Sequence, residues 1–298
     1  MMLIDVNGHP TFCYTGGKPF NPAQPTVVLI HGVLNDHSVW AMQSRYLAHH
    51  GWNVLAVDLP GHCKSAGPAP ASVEEAADFI IALLDAVGAP RAALVGHSWG
   101  SLIALEAAAR LQERASHLVL VGTAFPMKVS PALIEAALNE PEKALRMVNV
   151  FSRSTLCAPP TALGPGTWVY GASMALGRRV LRSNREVNLF HRGFVACDSY
   201  AGGESAIARI TCPVLFALGA QDQMTTPKAA QGLIAKARES GKQVQVVHLP
   251  VGHHQMTETP EETLRAIGRI HTWQQAQDAV SAARKAGFKN ISLDLIYG

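Results

Sequence analysis

A chain of 298 residues that is 48% hydrophobic and 16% charged carries enough apolar material for a large packed core, which excludes a disordered chain. Its formal net charge of +3, with no basic stripe interleaved with stacking aromatics, argues against a nucleic-acid partner. No stretch approaches the roughly 18 uninterrupted apolar residues of a membrane span.

The opening segment, Met1-Met2-Leu3-Ile4-Asp5-Val6-Asn7-Gly8, has neither the basic nor the sustained apolar region of a secretory signal. Leu3 to Val6 and Thr11 to Tyr14 flank Asn7-Gly8, a good tight-turn dipeptide, so the chain is expected to begin with two antiparallel strands. A proline-rich stretch from Lys18 to Pro25 leads into Val27-Val28-Leu29-Ile30, a strand ending at His31-Gly32, and Asn53 to Val57 is the next strand. Ser72 to Val87 reads as a helix, with Ser72 as N-cap, Glu75 at the capping-box position and Gly88 at its end. Ala92-Ala93-Leu94-Val95 is again an apolar run. It passes through Gly96-His97-Ser98-Trp99-Gly100 into an alanine-rich helical run, Ser101 to Ala109, and His117 to Val121 makes a further strand. Short apolar strands alternating with helices predict a parallel sheet covered on both faces, with ligands at the carboxyl ends of the strands.

The alternation stops near Gly122 and resumes near Cys212. Helix-like runs fill the interval, among them Pro131 to Val150 and Ser173 to Arg185, with breakers at Cys157-Ala158-Pro159-Pro160 and Gly164-Pro165-Gly166. From Lys143 to Val195 this stretch carries Lys143, Arg146, Arg153, Arg178, Arg179, Arg182, Arg185 and Arg192 against the single acid Glu186. Such a run reads either as a solvated basic face or as a dock for an anionic substrate or an acidic carrier protein, and the residues alone do not choose. Cys212 to Gly219 is a buried strand leading to Ala220-Gln221-Asp222-Gln223-Met224. Val244 to Leu249 is the strand before Gly252-His253-His254. Gln275 to Lys285 continues a last helix.

The spacing around Ser98 carries chemistry. A serine between an apolar strand and a helix, flanked by glycines, matches the nucleophile elbow, where a tight turn holds the hydroxyl out of the sheet. A serine hydroxyl needs a base to take its proton and an acid to orient that base. His253 and Asp222 each follow a strand, in the chain order serine, aspartate, histidine.

With these residues the sequence resembles the α/β-hydrolase superfamily from about Met1 to Trp273, with a gap in the middle. Val27-Val28-Leu29-Ile30-His31-Gly32, Asp58-Leu59-Pro60-Gly61-His62, the elbow, the Gly219 to Asp222 segment, and Gly252-His253-His254-Gln255-Met256-Thr257-Glu258-Thr259-Pro260 carry the likeness. The resemblance implies an α/β-hydrolase fold whose core comprises 1–122 and 212–273, with a helical cap over 123–211 and a C-terminal extension over 274–298. In the family's register, Glu258-Thr259-Pro260 puts His253 rather than His254 on the catalytic position, and Asp58 belongs to a structural turn. The family commonly has a second glycine where this chain has Cys63. A residue with a Cβ takes a positive φ only at a cost, so the loop is expected to run differently there.

The resemblance further implies a serine hydrolase that cleaves a small to medium, largely apolar carboxylic ester without a cofactor. Ser98 would be the nucleophile, His253 the base and Asp222 its orienting acid. The backbone N–H groups of Val33 and Trp99 would form the oxyanion hole. Leu34, Trp40, Phe125, Met127, Trp168, Met224 and Met256 are the apolar side chains expected in the pocket or its roof. Haloalkane dehalogenases and epoxide hydrolases of the family use an aspartate where this chain has Ser98, and a hydroxynitrile lyase wants a hydroxyl residue at Val33. Carbon-carbon bond hydrolases, cofactor-free perhydrolases and a hydrolase-fold ligand receptor keep the same triad and remain alternatives. Thirteen histidines raise the question of a metal, but His49-His50 and His253-His254 are adjacent pairs whose side chains point apart, and no H-E-x-x-H occurs. No metal site is therefore expected. Five scattered cysteines, Cys13, Cys63, Cys157, Cys197 and Cys212, without a C-x-x-C pair fit free thiols in a cytoplasmic protein.

Overall fold

A computed structural model describes residues 1–154 and 167–268, together with Arg284. The expected breakers around Cys157 and Gly164, the helix over Gln275 to Lys285 and the extension 274–298 fall outside the described residues or rest mostly on residues outside them. Strands β1 (Met2–Val6) and β2 (His9–Tyr14) pair antiparallel. Asn7 at φ 54 and Gly8 at φ 80 form the two-residue turn between them, whose left-handed backbone suits the twist of a hairpin. Next come β3 (Thr26–Ile30), α1 (Ala41–His49), β4 (Asn53–Val57) and α2 (Val73–Ala86). The Ser72 hydroxyl accepts from the Glu75 N–H at 3.1 Å, as the sequence predicts. The Glu75 carboxylate reaches one residue further back than in the usual capping box, to the Ala71 N–H at 2.7 Å.

Strand β5 (Ala92–His97), helix α3 (Trp99–Leu111) and strand β6 (Ala115–Val121) follow. The run expected as one helix from Pro131 to Val150 is two, α4 (Pro131–Asn139) and α5 (Pro141–Ser152). Pro141 lacks an N–H and pushes Glu140 to φ -136, ψ 59, which ends the first helix before the second begins. Helix α6 (Val169–Ser183) begins and ends earlier than the expected Ser173 to Arg185, and α7 (Leu189–Ser199) follows it. The chain then runs through α8 (Gly203–Arg209), β7 (Val214–Gly219), α9 (Gln231–Glu239), β8 (Val244–Leu249), the single turn α10 (Gln255–Glu258) and α11 (Pro260–Gly268).

The sheet order is β1-β2-β4-β3-β5-β6-β7-β8, antiparallel as far as β4 and parallel from β4 to β8. Side chains alternate faces along each strand, so Val28, Ile30, Leu94, Leu118 and Phe216 share a cluster with α2, α3, α8 and α9. Val27, Leu29, Val95, Val119 and Leu215 instead pack with α1 and α11. Burial on both faces explains why these strands read as continuous apolar runs. The third apolar cluster joins α4 to α7 with Leu34, above the carboxyl ends of the strands. Helix α8 packs on α3 and α9, in the layer that covers the sheet. From β3 the chain turns one way to β4, and from β5 the other way to β6, so the loops after β3 and β5 meet at the reversal point.

Candidate active site

Ser98 sits between β5 and α3 at φ 54, ψ -122, a left-handed backbone that a residue with a Cβ adopts only when its surroundings enforce it. Those surroundings are backbone. A Cβ on Gly96 would stand 2.0 Å from the Gly100 carbonyl oxygen, and one on Gly100 would stand 2.4 Å from that of Ile30. Strand β3, strand β5 and helix α3 are therefore in direct main-chain contact, and the Ser98 N–H donates to the Val121 carbonyl at 2.9 Å. The bend leaves Ser98 partly exposed, facing a cavity of about 230 Å³ that His253 also lines.

Asp222, 3% exposed, follows β7. Its Oδ2 lies 2.8 Å from His253 Nδ1 and accepts from the Thr225 hydroxyl at 2.8 Å. Its Oδ1 accepts the Met224 and Thr225 N–H groups at 2.8 and 2.9 Å. Burial pushes this carboxyl pKa upward, but the His253 charge and hydrogen bond and the Thr225 donors outweigh burial, and the net direction is down. An ionised Asp222 can only accept, so the Nδ1 proton is held toward it and the lone pair of neutral His253 lies on Nε2.

Further contacts hold the His253 loop. The His253 N–H donates to the Ser152 carbonyl at 2.7 Å, and His97 Nε2 lies 2.7 Å from the His253 carbonyl. Buried Glu258 accepts from the N–H groups of Ser154 and His254 and from the Ser154 hydroxyl, at 2.9, 3.1 and 2.6 Å. Burial, then the charge of His253, pushes His97 down to about 3, so it stays neutral. His254 is also buried and is held well below the ordinary histidine value by burial, then by Arg153 and the two neighbouring imidazoles. No carboxylate hydrogen-bonds its ring among the described residues. The sequence assigns no site role to Thr225 or His97, names Arg153 only as one member of the basic run, and uses Glu258 only as a marker of register.

Val33 lines the cavity beside Ser98, and Trp99 follows Ser98 directly in the chain. The Trp99 N–H opens α3, where first-turn donors have no helical acceptor. Gly32 to Asn35 is a turn closed by the Asn35 N–H on the Gly32 carbonyl at 3.3 Å, with Leu34 at φ 56, and it leaves the Val33 N–H out of that bond.

Leu34 and Met224 line the cavity with Val33, and Met127 lines an adjoining cavity of about 280 Å³ that Ser98 and His253 share. Four of the expected pocket residues stand elsewhere. Trp40 and Met256 are wholly buried between the sheet and the α1 and α11 layer. Phe125 packs edge-on against Tyr200, ring centroids 5.9 Å apart. Trp168 is 64% exposed and stacks on Tyr170. A large apolar residue satisfies the same burial drive in a core as in a pocket, so residue type alone does not separate the two.

Cys63 takes φ 47, so the loop keeps the left-handed turn that a glycine would make, contrary to the sequence expectation. Its N–H donates to the Ser183 hydroxyl at 2.9 Å, a fixed partner in α6 that offsets the backbone cost. Asp58 serves the turn, accepting from the His37 and Lys64 N–H groups at 2.9 and 3.2 Å. Asp36, His37 and Asp58 bring possible ligand atoms within 4.8 Å of one another. Arg179 Nη2 already stands 2.6 Å from Asp36 Oδ2, and its charge opposes a cation there.

The chain belongs to the alpha/beta hydrolase fold family, whose model matches residues 25–258. It is 28% identical over 255 residues to "Putative carbamate hydrolase RutD" of Klebsiella pneumoniae, covering 83% of this chain and 90% of that protein. A shorter match, 36% over 107 residues, is to epoxide hydrolase A of Mycobacterium tuberculosis, covering 34% of this chain and 31% of that one. Among solved structures, the enol-lactonase of Burkholderia xenovorans superposes with a TM-score of 0.72 at 22% identity, over 89% of this chain and 97% of that one. The esterase of Exiguobacterium antarcticum gives 0.75 at 17%, over 91% and 99%. At these identities the structural matches speak for the fold alone.

Proposed function

We propose that this hydrolase is a serine esterase working through an acyl-enzyme. The observation that carries the reading is the buried Asp222 carboxylate on His253 Nδ1, which leaves Nε2 with its lone pair in the cavity that Ser98 enters. As Ser98 Oγ attacks the ester carbonyl, His253 Nε2 takes its proton, and the N–H groups of Val33 and Trp99 receive the charge on the carbonyl oxygen. The carbon-oxygen bond to the alcohol then breaks, and the imidazolium returns the proton to the leaving oxygen. Water gives a proton to the same nitrogen as it attacks the acyl-serine, and the acid leaves while Ser98 is restored. The walls are mostly apolar, with Leu145, Leu176, Phe190 and Phe194 among them, which suits a small hydrocarbon chain. Cys13, Cys63, Cys197 and Cys212 are free thiols, which supports a reducing compartment such as the cytoplasm.

Steady-state assays with p-nitrophenyl esters of increasing acyl length, and with a p-nitrophenyl carbamate suggested by the relative named as a putative carbamate hydrolase, test the reading. Ser98→Ala is expected to abolish turnover and His253→Ala to come close to that, with His254→Ala much milder. Equal losses in the two histidine variants would contradict the assignment of the base. Turnover of the carbamate but of no ester would move the reading to carbon-nitrogen chemistry.

A further inference from the structure

Arg153 is the only arginine, lysine or carboxylate side chain, among the described residues, in the wall of the cavity of about 230 Å³, while Lys128 of the adjoining cavity stands 3.7 Å from Asp198. Arg153 stands just past α5, where the backbone leaves the helix at φ -117, ψ 133. Among the described residues, no other cap cation lines the cavity of Arg153. Lys143 pairs with Glu140, Arg178 with Glu142 and Arg179 with Asp36, and Arg192 donates to the Ala69 carbonyl.

Among the described residues, the hydrogen-bond partners of Arg153 are neutral hydroxyls. Nε and Nη2 both donate to Ser173 Oγ, at 2.9 and 2.5 Å, and Nη1 donates to Thr257 Oγ1 at 3.3 Å. Glu258 is the acid whose field reaches the guanidinium, but its oxygens already serve Ser154, Gly252 and His254. The imidazoles of His97 and His254 nearby are held neutral. Burial pushes the guanidinium pKa down to about 10, the mark of a cation whose lost hydration no carboxylate among the described residues restores. An arginine has five N–H donors, and the three bonds made leave two, one on each terminal nitrogen. Two such donors match the two oxygens of a planar carboxylate.

We propose that Arg153 binds a free carboxylate of the substrate, so that the ester taken is a half-ester of a short dicarboxylic acid with the free acid on its acyl part. The proposal rests on the esterase reading and narrows it. A cavity of about 230 Å³ suits an acyl chain of a few carbons, its methylenes against Leu145 and Leu176. Arg153 is then a specificity residue, and the bond-making steps at Ser98 are unchanged.

The full-length protein is to be assayed with p-nitrophenyl butyrate and with mono-p-nitrophenyl glutarate, as wild type, Arg153→Met and Arg153→Lys. Wild type is expected to favour the glutarate at least about tenfold in kcat/KM, chiefly through KM, as one charge-assisted hydrogen bond warrants. Arg153→Met is expected to cut that preference at least tenfold, and Arg153→Lys, charged but without the fork, to fall between. Melting curves with added glutarate read binding without turnover: the wild-type Tm should rise and that of Arg153→Met should not. Turnover of both esters with no preference in wild type, or an equal loss of both in Arg153→Met, overturns the anion site and leaves the esterase reading standing. Stabilisation by glutarate through Arg153 with no ester turned over sinks the esterase reading and keeps the anion site. Neither turnover nor stabilisation sinks both.

Discussion

Asp222 is a carboxylate on which burial and hydrogen bonding pull in opposite directions, and hydrogen bonding wins. Its Oδ2 is shared between His253 and the Thr225 hydroxyl, and its Oδ1 between two backbone N–H groups, so the acid has no freedom to turn. Asp222→Asn preserves the shape but can offer an N–H where Nδ1–H needs an acceptor, which favours the wrong tautomer. Ester kcat is expected to fall by roughly 10⁴-fold with little change in fold, checked by steady-state kinetics beside a melting curve. A loss below about tenfold would mean that Asp222 does not orient the base. At this scale the Ser98 bend and the Asp222 to His253 contact were legible because local motifs mark each residue. The parts of His97 and Glu258 were not, because they lie in contacts such as His97 to His253 and Ser154 to Glu258, across more than a hundred positions of chain, and Arg153 stood out only as one of eight cations in the basic run.

The elements meet most closely at the elbow, where β3 and β5 touch the start of α3 with no side chain between them. Gly100→Ala would put a Cβ 2.4 Å from the Ile30 carbonyl oxygen and 2.6 Å from that of His31, and neither backbone can retreat without opening the sheet. A loss of about 3 kcal/mol or more, or no soluble protein, is expected in denaturant titration. Near-wild-type stability would show that the strand and helix are less tightly seated. The strand-elbow-helix order was legible because G-x-S-x-G has one geometric use between an apolar strand and a helix. Two other elements show the limit. Pro141 splits a run whose apolar spacing reads as one helix, and Cys63 keeps a glycine-like φ of 47 because Ser183, 120 residues away, supplies a partner that no local pattern reveals.

Across the whole molecule, His31, His62, His97 and His254 are buried, and burial is the largest cause pulling each below the ordinary value of 6.5. As pH falls below 6.5 the unfolded chain binds protons on these imidazoles that the folded chain refuses, so stability falls with pH. For His62 and His97 that decline runs down to about 3. Asp36, held near 2 because the Ser38 and Arg179 contacts overcome its burial, and Asp222, also lowered, stabilise the fold above 3.8 and lose that contribution as pH drops further. Both sets therefore act in the same direction. The Tm is expected to fall steadily from pH 7.5 to pH 5, and His62→Gln, if it folds, should flatten the slope. A Tm that is level or rises over that interval would show that these imidazoles exchange protons freely in the folded state. The parallel sheet was legible at this scale from its continuous apolar strands. The cavity walls were not, because α5, α6 and α7 reach Ser98 only in the folded chain.

The most direct test of the account is the site of covalent capture by a fluorophosphonate. Wild-type protein is predicted to take up one equivalent, found by peptide mass analysis on Ser98, with none on Ser98→Ala and strongly slowed uptake on His253→Ala. An adduct on another residue, or uptake by Ser98→Ala at the wild-type rate, would contradict the claim that Ser98, His253 and Asp222 form one catalytic unit.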